Sequence, residues 1–436
     1  MNENFNIFIN KKILIYGIGK SGISTFNFLK KYNNISIFDD NKKINLNSYI
    51  KNRFISFGKI KKNKFDLIIL SPGININKCK LKNFLKKNLK IIYTDLDVFY
   101  SFYKNECITI TGTNGKSTTC KLLYEVLKKS RLDVKLAGNI GYPILSVKNI
   151  KRKSIFVIEA SSYQLDYSQL FNSKYAVILN ISPDHLERHK TLRNYILAKF
   201  KLILNQKKGS LAFINKHDKY LKKEIKKNTY KSKIIKVETN FKNQIIKNFQ
   251  NNYLSSVSNK ENLAFVIEIA KKFKIKRNLL YKVIENFKGL KYRQQVIFHN
   301  KKILIINDSK STSYSSSIEI LKKSKNIYWL LGGIPKKGDK FNLPKKYHKN
   351  IKGFIFGKKY KKFSLDLKSK IKLRRFSNLK KALIGVLNEI RKDDSVKKTI
   401  LLSPAAASFD SFKNFEDRGS YFNKIIGDYL DVKSIV

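Results

Sequence analysis

Gly112, Gly115, Lys116 and Ser117 stand in ITGTNGKSTT, residues 110–119, between an apolar run and a segment of helical spacing. A glycine turn that opens a helix presents unpaired backbone N–H groups to phosphate oxygens. Lys116 can span two phosphates, and Ser117 Oγ can ligate Mg2+. The loop is shorter than the usual G-x-x-x-x-G-K-[ST], because Ile110 stands where that spelling has its first glycine. Further along, Glu159 ends the apolar run SIFVIE, where an unpaired carboxylate is costly to bury and a bound cation would compensate it. Asp184 and His185 end the next run, ILNISPDH, and Asn139 and Gly141 lie in AGNIG. An acid and a histidine at strand ends beside a phosphate loop point to a metal role. The bland alternative is that the histidine is structural.

Two other groups could do chemistry. Gly17, Gly19 and Gly22 spell G-x-G-x-x-G between a strand and a helix, with Asp39 and Asp40 ending the next strand. The glycines allow a tight turn and close approach of N–H groups to a diphosphate, whether of NAD or of a UDP-sugar. Glycines serving strand–helix packing alone are the competing reading. NDSKSTS (307–313) and LSPAAASFD (402–410) are hydroxyl-rich turns after apolar strands, fit to line a site or to cap helices.

The elements that must position these groups alternate strand and helix. KKILIYGIGKSGISTFNFLKKY, ISIFDD and FDLIILSPGIN give the first unit its strands. ECITITGTNGKSTTCKLLYEVLKKS, SIFVIEASSYQL and KYAVILNISPDH give the second, followed by the amphipathic LRNYILAKFKLILN. Residues 207–260 are Lys/Asn-rich and read as less regular, before the helix ENLAFVIEIAKKFKI. KKILIINDSKSTS, NIYWLLGGIPKKGD and KTILLSPAAASFDSF build the third. The pattern predicts an α/β protein of three domains: an N-terminal Rossmann-like parallel sheet (1–94), a central P-loop ATPase-like domain (95–289) and a C-terminal Rossmann-like domain (290–436). In such sheets ligands bind beyond the carboxyl ends of the strands, where all of these groups fall.

The 436 residues carry 91 Lys and Arg against 31 Asp and Glu, a net charge of +60. The excess is spread along the whole chain alongside abundant Asn and Ile. It therefore reads as compositional bias on solvated faces rather than a nucleic-acid surface. Apolar runs are far below a membrane span, and no basic segment leads a long apolar core at the N-terminus. Three cysteines form no disulfide framework or metal spacing. A cytoplasmic protein is expected, with no nucleic acid and no membrane insertion.

Taken in order, GIGKSG, SPGI, TGTNGKST, GNIG, EASSYQL, NISPDHLERH, NDSKST, LLGG and LSPAAASFD resemble the Mur ligases of peptidoglycan synthesis over the whole chain. NDSKST and LSPAAASFD resemble the branch that adds D-glutamate. The resemblance implies a monomeric, ATP-dependent amide ligase acting on UDP-N-acetylmuramoyl-L-alanine and D-glutamate through an acyl phosphate. It implies that Gly112, Thr113, Asn114, Gly115, Lys116, Ser117, Thr118, Asn262, Arg293 and Asp308 bind ATP. Ser117, Glu159, His185 and a carbamylated Lys199 would hold two Mg2+ ions, with Lys116, His185 and Lys199 catalytic. Ser21, Ser71, Pro72, Gly73 and Asn139 would hold the UDP substrate. Lys310, Thr312, Lys336 (or Lys337), Ser408 and Phe415 would hold D-glutamate. The chain departs from the family at Tyr292, where a His is usual, in GGIPKKGDKF, which has an added residue, and at FDDN, which lacks an Arg. Another Mur-type or folylpolyglutamate-type amide ligase is the alternative within the resemblance, and an NAD-dependent oxidoreductase and a basic nucleic-acid-binding ATPase are the competing functional classes.

Overall fold

The computed structural model describes residues 6–41, 48–239, 249–251, 253–336, 338–393 and 397–430. Lys337 lies outside them. Among the described residues there are three sheets, and all strand pairs but one are parallel. Apolar strands buried on both faces and joined by helices give this outcome. The first sheet has the order β2-β1-β3-β4, with β1 Lys12–Tyr16, β2 Asn34–Phe38, β3 Leu67–Leu70 and β4 Ile92–Tyr93. The second contains β5 Cys107–Thr111, β6 Val134–Gly138, β7 Ile155–Glu159, β8 Tyr175–Ile178, β9 Leu211–Asn215 and β10 Lys233–Val237. Its order is β10-β9-β8-β5-β7-β6. The third contains β11 Gln295–His299, β12 Ile303–Asn307, β13 Ile327–Gly332, β14 Ile351–Phe356, β15 Lys372–Phe376 and β16 Lys398–Leu402. Its order is β11-β12-β16-β13-β14-β15, with β11 antiparallel to β12.

By internal contacts the chain forms two compact units, Met1–Asn251 with Val257–Phe287, and Asn252–Ser256 with Lys288–Val436. The first two sheets share one unit because they share a core. Leu96, Val98 and Phe99, on the helix Asp95–Phe102, belong to one buried cluster with Ile13 and Ile15 of β1 and Phe156 and Ile158 of β7. The buried Asp97 carboxylate reinforces this join by accepting the backbone N–H groups of Gln169, Leu170 and Phe171. The third sheet is covered on its two faces by separate clusters, one around Phe354 and Phe422, the other around Trp329 and Phe363.

Strand order decides which loops meet. β5 lies between β7 and β8, so the loops leaving those three strands are neighbours. In the third sheet β16 lies between β12 and β13, which likewise brings three loops together. The stretch 207–260, read as less regular, contains β9, the helix Lys219–Ile225 and β10. β10 (KIIKV) and β15 (KLRRF) are edge strands whose lysines and arginines blunt the exposed edge and dilute the apolar signal.

Candidate active site

The phosphate loop follows β5 and ends at Gly115, whose φ of +84° favours glycine. A Cβ there would also fall 2.1 Å from the Asn262 side chain, so Asn262, 3% exposed, packs directly under the turn. The loop is pinned from β8's end. Thr113 N–H donates to Asn180 O at 3.0 Å, Asn114 N–H to Asn180 Oδ1 at 2.9 Å, and Thr113 Oγ1 pairs with Tyr195 Oη at 3.1 Å. Lys116 curls over the loop, its Nζ donating to Gly112 O and Thr113 O, both at 2.9 Å. Ser117 and Thr118 are buried in the first turn of the helix Lys116–Lys129.

Glu159, 1% exposed at the end of β7, accepts the Ser117 hydroxyl at 2.5 Å and the Asn139 amide at 3.0 Å. Three residues singled out in separate motifs thus form one hydrogen-bonded group. Lys199, also 1% exposed, reaches in from the helix Leu192–Leu204 and donates to Thr111 Oγ1 at 3.2 Å and Gly112 O at 2.9 Å. Burial first, then the nearby Lys116, holds its amine well below the ordinary lysine range. His185 stands at the head of the helix Leu186–His189, joined to Tyr163 Oη at 2.8 Å. Its ring lies 6.4 Å from that of Tyr195, which links it to Thr113. Among the described residues no cluster of three His, Cys, Asp or Glu converges. The oxygen donors at hand are Ser117 Oγ and the Glu159 carboxylate, buried beside a helix N-terminus; hard oxygens of this kind suit Mg2+.

In the first sheet, Ser71 Oγ donates to Gly17 O at 2.6 Å, drawing the SPGI turn onto the glycine loop, with Pro72 and Gly73 following at the surface. Ser21 lies near the buried carboxyl of Asp95, which accepts Leu96 N–H at 3.1 Å and which burial raises to about 6. A Cβ on Gly22 would lie 1.9 Å from Gly17 O, so that glycine is required by packing. Asp39 accepts Ile18 N–H at 2.7 Å and Asp40 accepts the Tyr16 hydroxyl at 2.7 Å, so both acids brace this loop. That accounts for much of the G-x-G-x-x-G pattern without a dinucleotide.

The second unit assembles its own group. Asp308 is buried after β12, accepts Gln294 N–H at 3.1 Å and Ser403 Oγ at 3.0 Å, and is raised by burial to about 7. Lys310 Nζ sits 3.7 Å from the Phe415 ring centroid, joining two of the expected D-glutamate residues. Ser408 is buried, and Thr312 and Lys336 are half-buried on neighbouring loops. Arg293 lies between Tyr292 and Gln294, two non-glycine residues at positive φ (61° and 47°), a strained turn that fixes where it starts. Arg418, fully buried, ties the three loops together. It donates to Ser309 Oγ and O, Gly332 O and Ala406 O at 2.8–3.3 Å.

The description "Mur ligase middle domain" matches residues 110–287, and "Mur ligase MurD-like, N-terminal domain" matches residues 11–93. Relatives named UDP-N-acetylmuramoylalanine--D-glutamate ligase match nearly end to end. That of Rickettsia bellii is 35% identical over 96% of this chain and 98% of its own length. That of Buchnera aphidicola subsp. Schizaphis graminum is 38% identical over 97% and 99%. The chain belongs to the Mur ligase family. The MurF ligase of Thermotoga maritima, solved in complex with ADP, shares the fold with a TM-score of 0.57 at 14% identity, over 98% of this chain and 100% of that one. The MurC ligase of the same organism gives 0.56 at 18%, over 97% and 100%.

This Mur ligase has structural partners that sequence reasoning left without a role. Tyr163 was visible inside EASSYQL, and Arg188 and His189 inside NISPDHLERH, but nothing in their spacing says that they stack on one another. Arg188 lies 4.5 Å from the Tyr163 ring centroid, and His189 Nε2 pairs with Ser162 Oγ at 3.0 Å. Arg418 carried no signal at all, being one arginine in a chain crowded with cations.

Proposed function

We propose that the chain is an ATP-dependent ligase joining D-glutamate to UDP-N-acetylmuramoyl-L-alanine in the synthesis of peptidoglycan precursors. What carries the reading is whole-length likeness to relatives named for that reaction. The hydrogen-bonded group of Ser117, Glu159 and Asn139 at the phosphate loop agrees with it.

The first unit would bind both nucleotides. Residues 112–118, with Asn262 beneath the turn, would cradle the ATP phosphates through backbone N–H groups. Lys116 would exchange its two carbonyl partners for phosphate oxygens. Ser21, Ser71, Pro72, Gly73 and Asn139 would hold the UDP-sugar substrate. Ser117, Glu159, His185 and Lys199 would hold two Mg2+ ions, which supply neutralisation of phosphate charge. A neutral, buried Lys199 amine suits addition of CO2, which forms an N–C bond, releases a proton and turns the side chain into an anion. In the second unit Lys310, Thr312, Lys336, Ser408 and Phe415 would hold D-glutamate, and Arg293 and Asp308 would contact nucleotide.

The alanyl carboxylate attacks the γ-phosphorus of ATP, and the bond to the ADP oxygen breaks. The chain's part is to align the two anions and screen their repulsion. The D-glutamate amine, after losing a proton to solvent, attacks the carbonyl of the acyl phosphate. Phosphate leaves, the second amine proton is lost, and an amide remains. Lys116 is placed to stabilise oxygen charge as it develops.

Phosphate release that requires ATP, UDP-N-acetylmuramoyl-L-alanine and D-glutamate together is the expected result. Equal release with L-lysine or meso-diaminopimelate in place of D-glutamate would sink this assignment.

A further inference from the structure

Tyr163 begins as a bystander in EASSYQL, yet the fold wedges it against the histidine expected to meet the metal. It sits in the helix Ser162–Tyr167, directly after Glu159 and its loop. Its ring is held by Arg188, 4.5 Å from the centroid, and by His189, 5.6 Å away. Arg188 Nη1 in turn donates to Gly73 O at 3.4 Å. The Tyr163 hydroxyl therefore has a fixed position, 2.8 Å from His185 Nδ1.

His185 is equally constrained at its backbone. Its φ of +55° is the left-handed region that non-glycine residues rarely adopt. Asp184 Oδ1 accepts its N–H at 2.9 Å, and its carbonyl accepts from Arg188 and His189, each at 3.0 Å. With the Cα so fixed, ring rotation and proton placement are what remain to be set. The Nδ1 edge has the phenol oxygen, which can accept a proton, within hydrogen-bond reach at 2.8 Å, with Glu187 Oε1 beyond that reach at 3.6 Å. The Nε2 edge lies 3.5 Å from Asp184 Oδ2, a negative neighbour favourable to a cation but beyond good hydrogen-bond reach.

From this geometry we propose that Tyr163 is a positioning residue: it holds the proton of His185 on Nδ1 and leaves the Nε2 lone pair for a divalent cation. The proposal rests on the reading of His185 as a metal ligand. A ligating imidazole is normally oriented by a partner on its other nitrogen, and a phenol stacked under an arginine fills that place here.

The test uses full-length enzyme labelled with 15N-histidine. The chain has only five histidines, so His185→Asn assigns the signal. In metal-free enzyme, above the histidine titration range, His185 is expected as the Nδ1–H tautomer. Tyr163→Phe keeps the stacked ring and removes only the hydroxyl. It should shift His185 towards Nε2–H and weaken Mn2+ binding roughly 10-fold. KM for Mg2+ should rise more than kcat falls, with the thermal midpoint nearly unchanged. Glu187→Ala should leave the tautomer in place. The proposal is overturned by an Nε2–H tautomer in the wild type, by an unchanged tautomer and Mn2+ affinity in Tyr163→Phe, or by Glu187→Ala shifting the tautomer as much. Separately, Mn2+ that fails to broaden the His185 signal in the wild type would sink the metal-ligand reading, whatever the tautomer.

Discussion

Arg418→Met puts a number on what one buried cation does for the second unit. The guanidinium is fully buried and bonds three backbone carbonyls, Ser309 O, Gly332 O and Ala406 O, as well as Ser309 Oγ. Methionine keeps an apolar stem of similar length and leaves those carbonyls buried without the donor. At roughly 1–3 kcal/mol for each orphaned acceptor, the loss is about 3–9 kcal/mol. Against it stands relief from burying a charge. Burial lowers the Arg418 pKa from the ordinary arginine range to about 10, which corresponds to about 3 kcal/mol of disfavour for the charged form. The carbonyl losses win, and a net destabilisation of about 3 kcal/mol is expected. The assay is built into the chain. Its single tryptophan, Trp329, is fully buried in this unit and donates to Ser403 O at 2.6 Å. Denaturant unfolding followed by tryptophan emission therefore reports the second unit alone. The midpoint should fall with an unchanged slope. Because the loops that Arg418 ties also carry Lys310, Thr312, Lys336 and Ser408, KM for D-glutamate should rise as well. An unmoved or raised midpoint would mean that the cost of burying the charge outweighs the carbonyl bonds, and the reasoning would fail.

Other tests address the two units separately. Asp308 titrates near 7 in the folded unit against 3.8 unfolded. Between those values the unfolded carboxyl is ionised while the folded one keeps its proton. Stability of the second unit should therefore fall as pH rises from about 4 to about 7, by up to about 4 kcal/mol, and level off above. Asp308→Asn should flatten that dependence in the Trp329 signal. His189 behaves oppositely: burial, then Arg188, lowers it from 6.5 to about 4. The first unit should gain stability as pH rises through that window, by up to about 3 kcal/mol. His189→Gln should remove the gain when unfolding is followed by hydrogen exchange in the helix Ser162–Tyr167. Lys199→Ala should abolish phosphate release, with no recovery on added bicarbonate and partial recovery with short carboxylic acids. Full activity in the alanine variant would eliminate the carbamate. Glu159→Gln should weaken Mn2+ binding at least 10-fold while leaving the fold intact, since the amide can still pair with Ser117 and Asn139.

What was legible in the sequence is what local rules encode. Strand, glycine turn and helix are set within about 25 residues of each other, so the phosphate loop, SPGI and the strand-end position of Glu159 could be read directly. Two kinds of feature could not. Edge strands such as β10 and β15 interleave lysine and arginine with few buried apolar residues, which removes the periodicity that marks a strand. Pairings across sequence, such as Arg418 with Gly332 and Ala406 or Tyr163 with His185, depend on strand order, and no local pattern specifies that β16 lies between β12 and β13. The acids after β2 show the limit from the other side. They follow the G-x-G-x-x-G motif at the end of the next strand, and the folded loop uses them to hold Ile18 N–H and the Tyr16 hydroxyl.

The lysine excess, which makes any single GKS suspect, is sorted by burial rather than by motif. Of 91 lysines and arginines, only Arg188, Lys199 and Arg418 are buried among the described residues. Compositional drift can add a cation to a solvated surface at little cost. It cannot easily add one to an interior, where the desolvation penalty is several kcal/mol unless the group is neutralised or fully bonded. Each of the three meets that cost differently. Arg418 gives its donors to three loop carbonyls, and Lys199 has its amine pushed towards the neutral form beside the phosphate loop, while Arg188 is only partly compensated, by the Tyr163 ring and Gly73 O, with Nε and Nη2 buried without a hydrogen-bond partner among the described residues. All three stand next to residues expected to bind substrate, metal or nucleotide. In a chain of net charge +60, each cation that the fold takes out of water therefore lies, within its own unit, beside residues expected to bind a ligand.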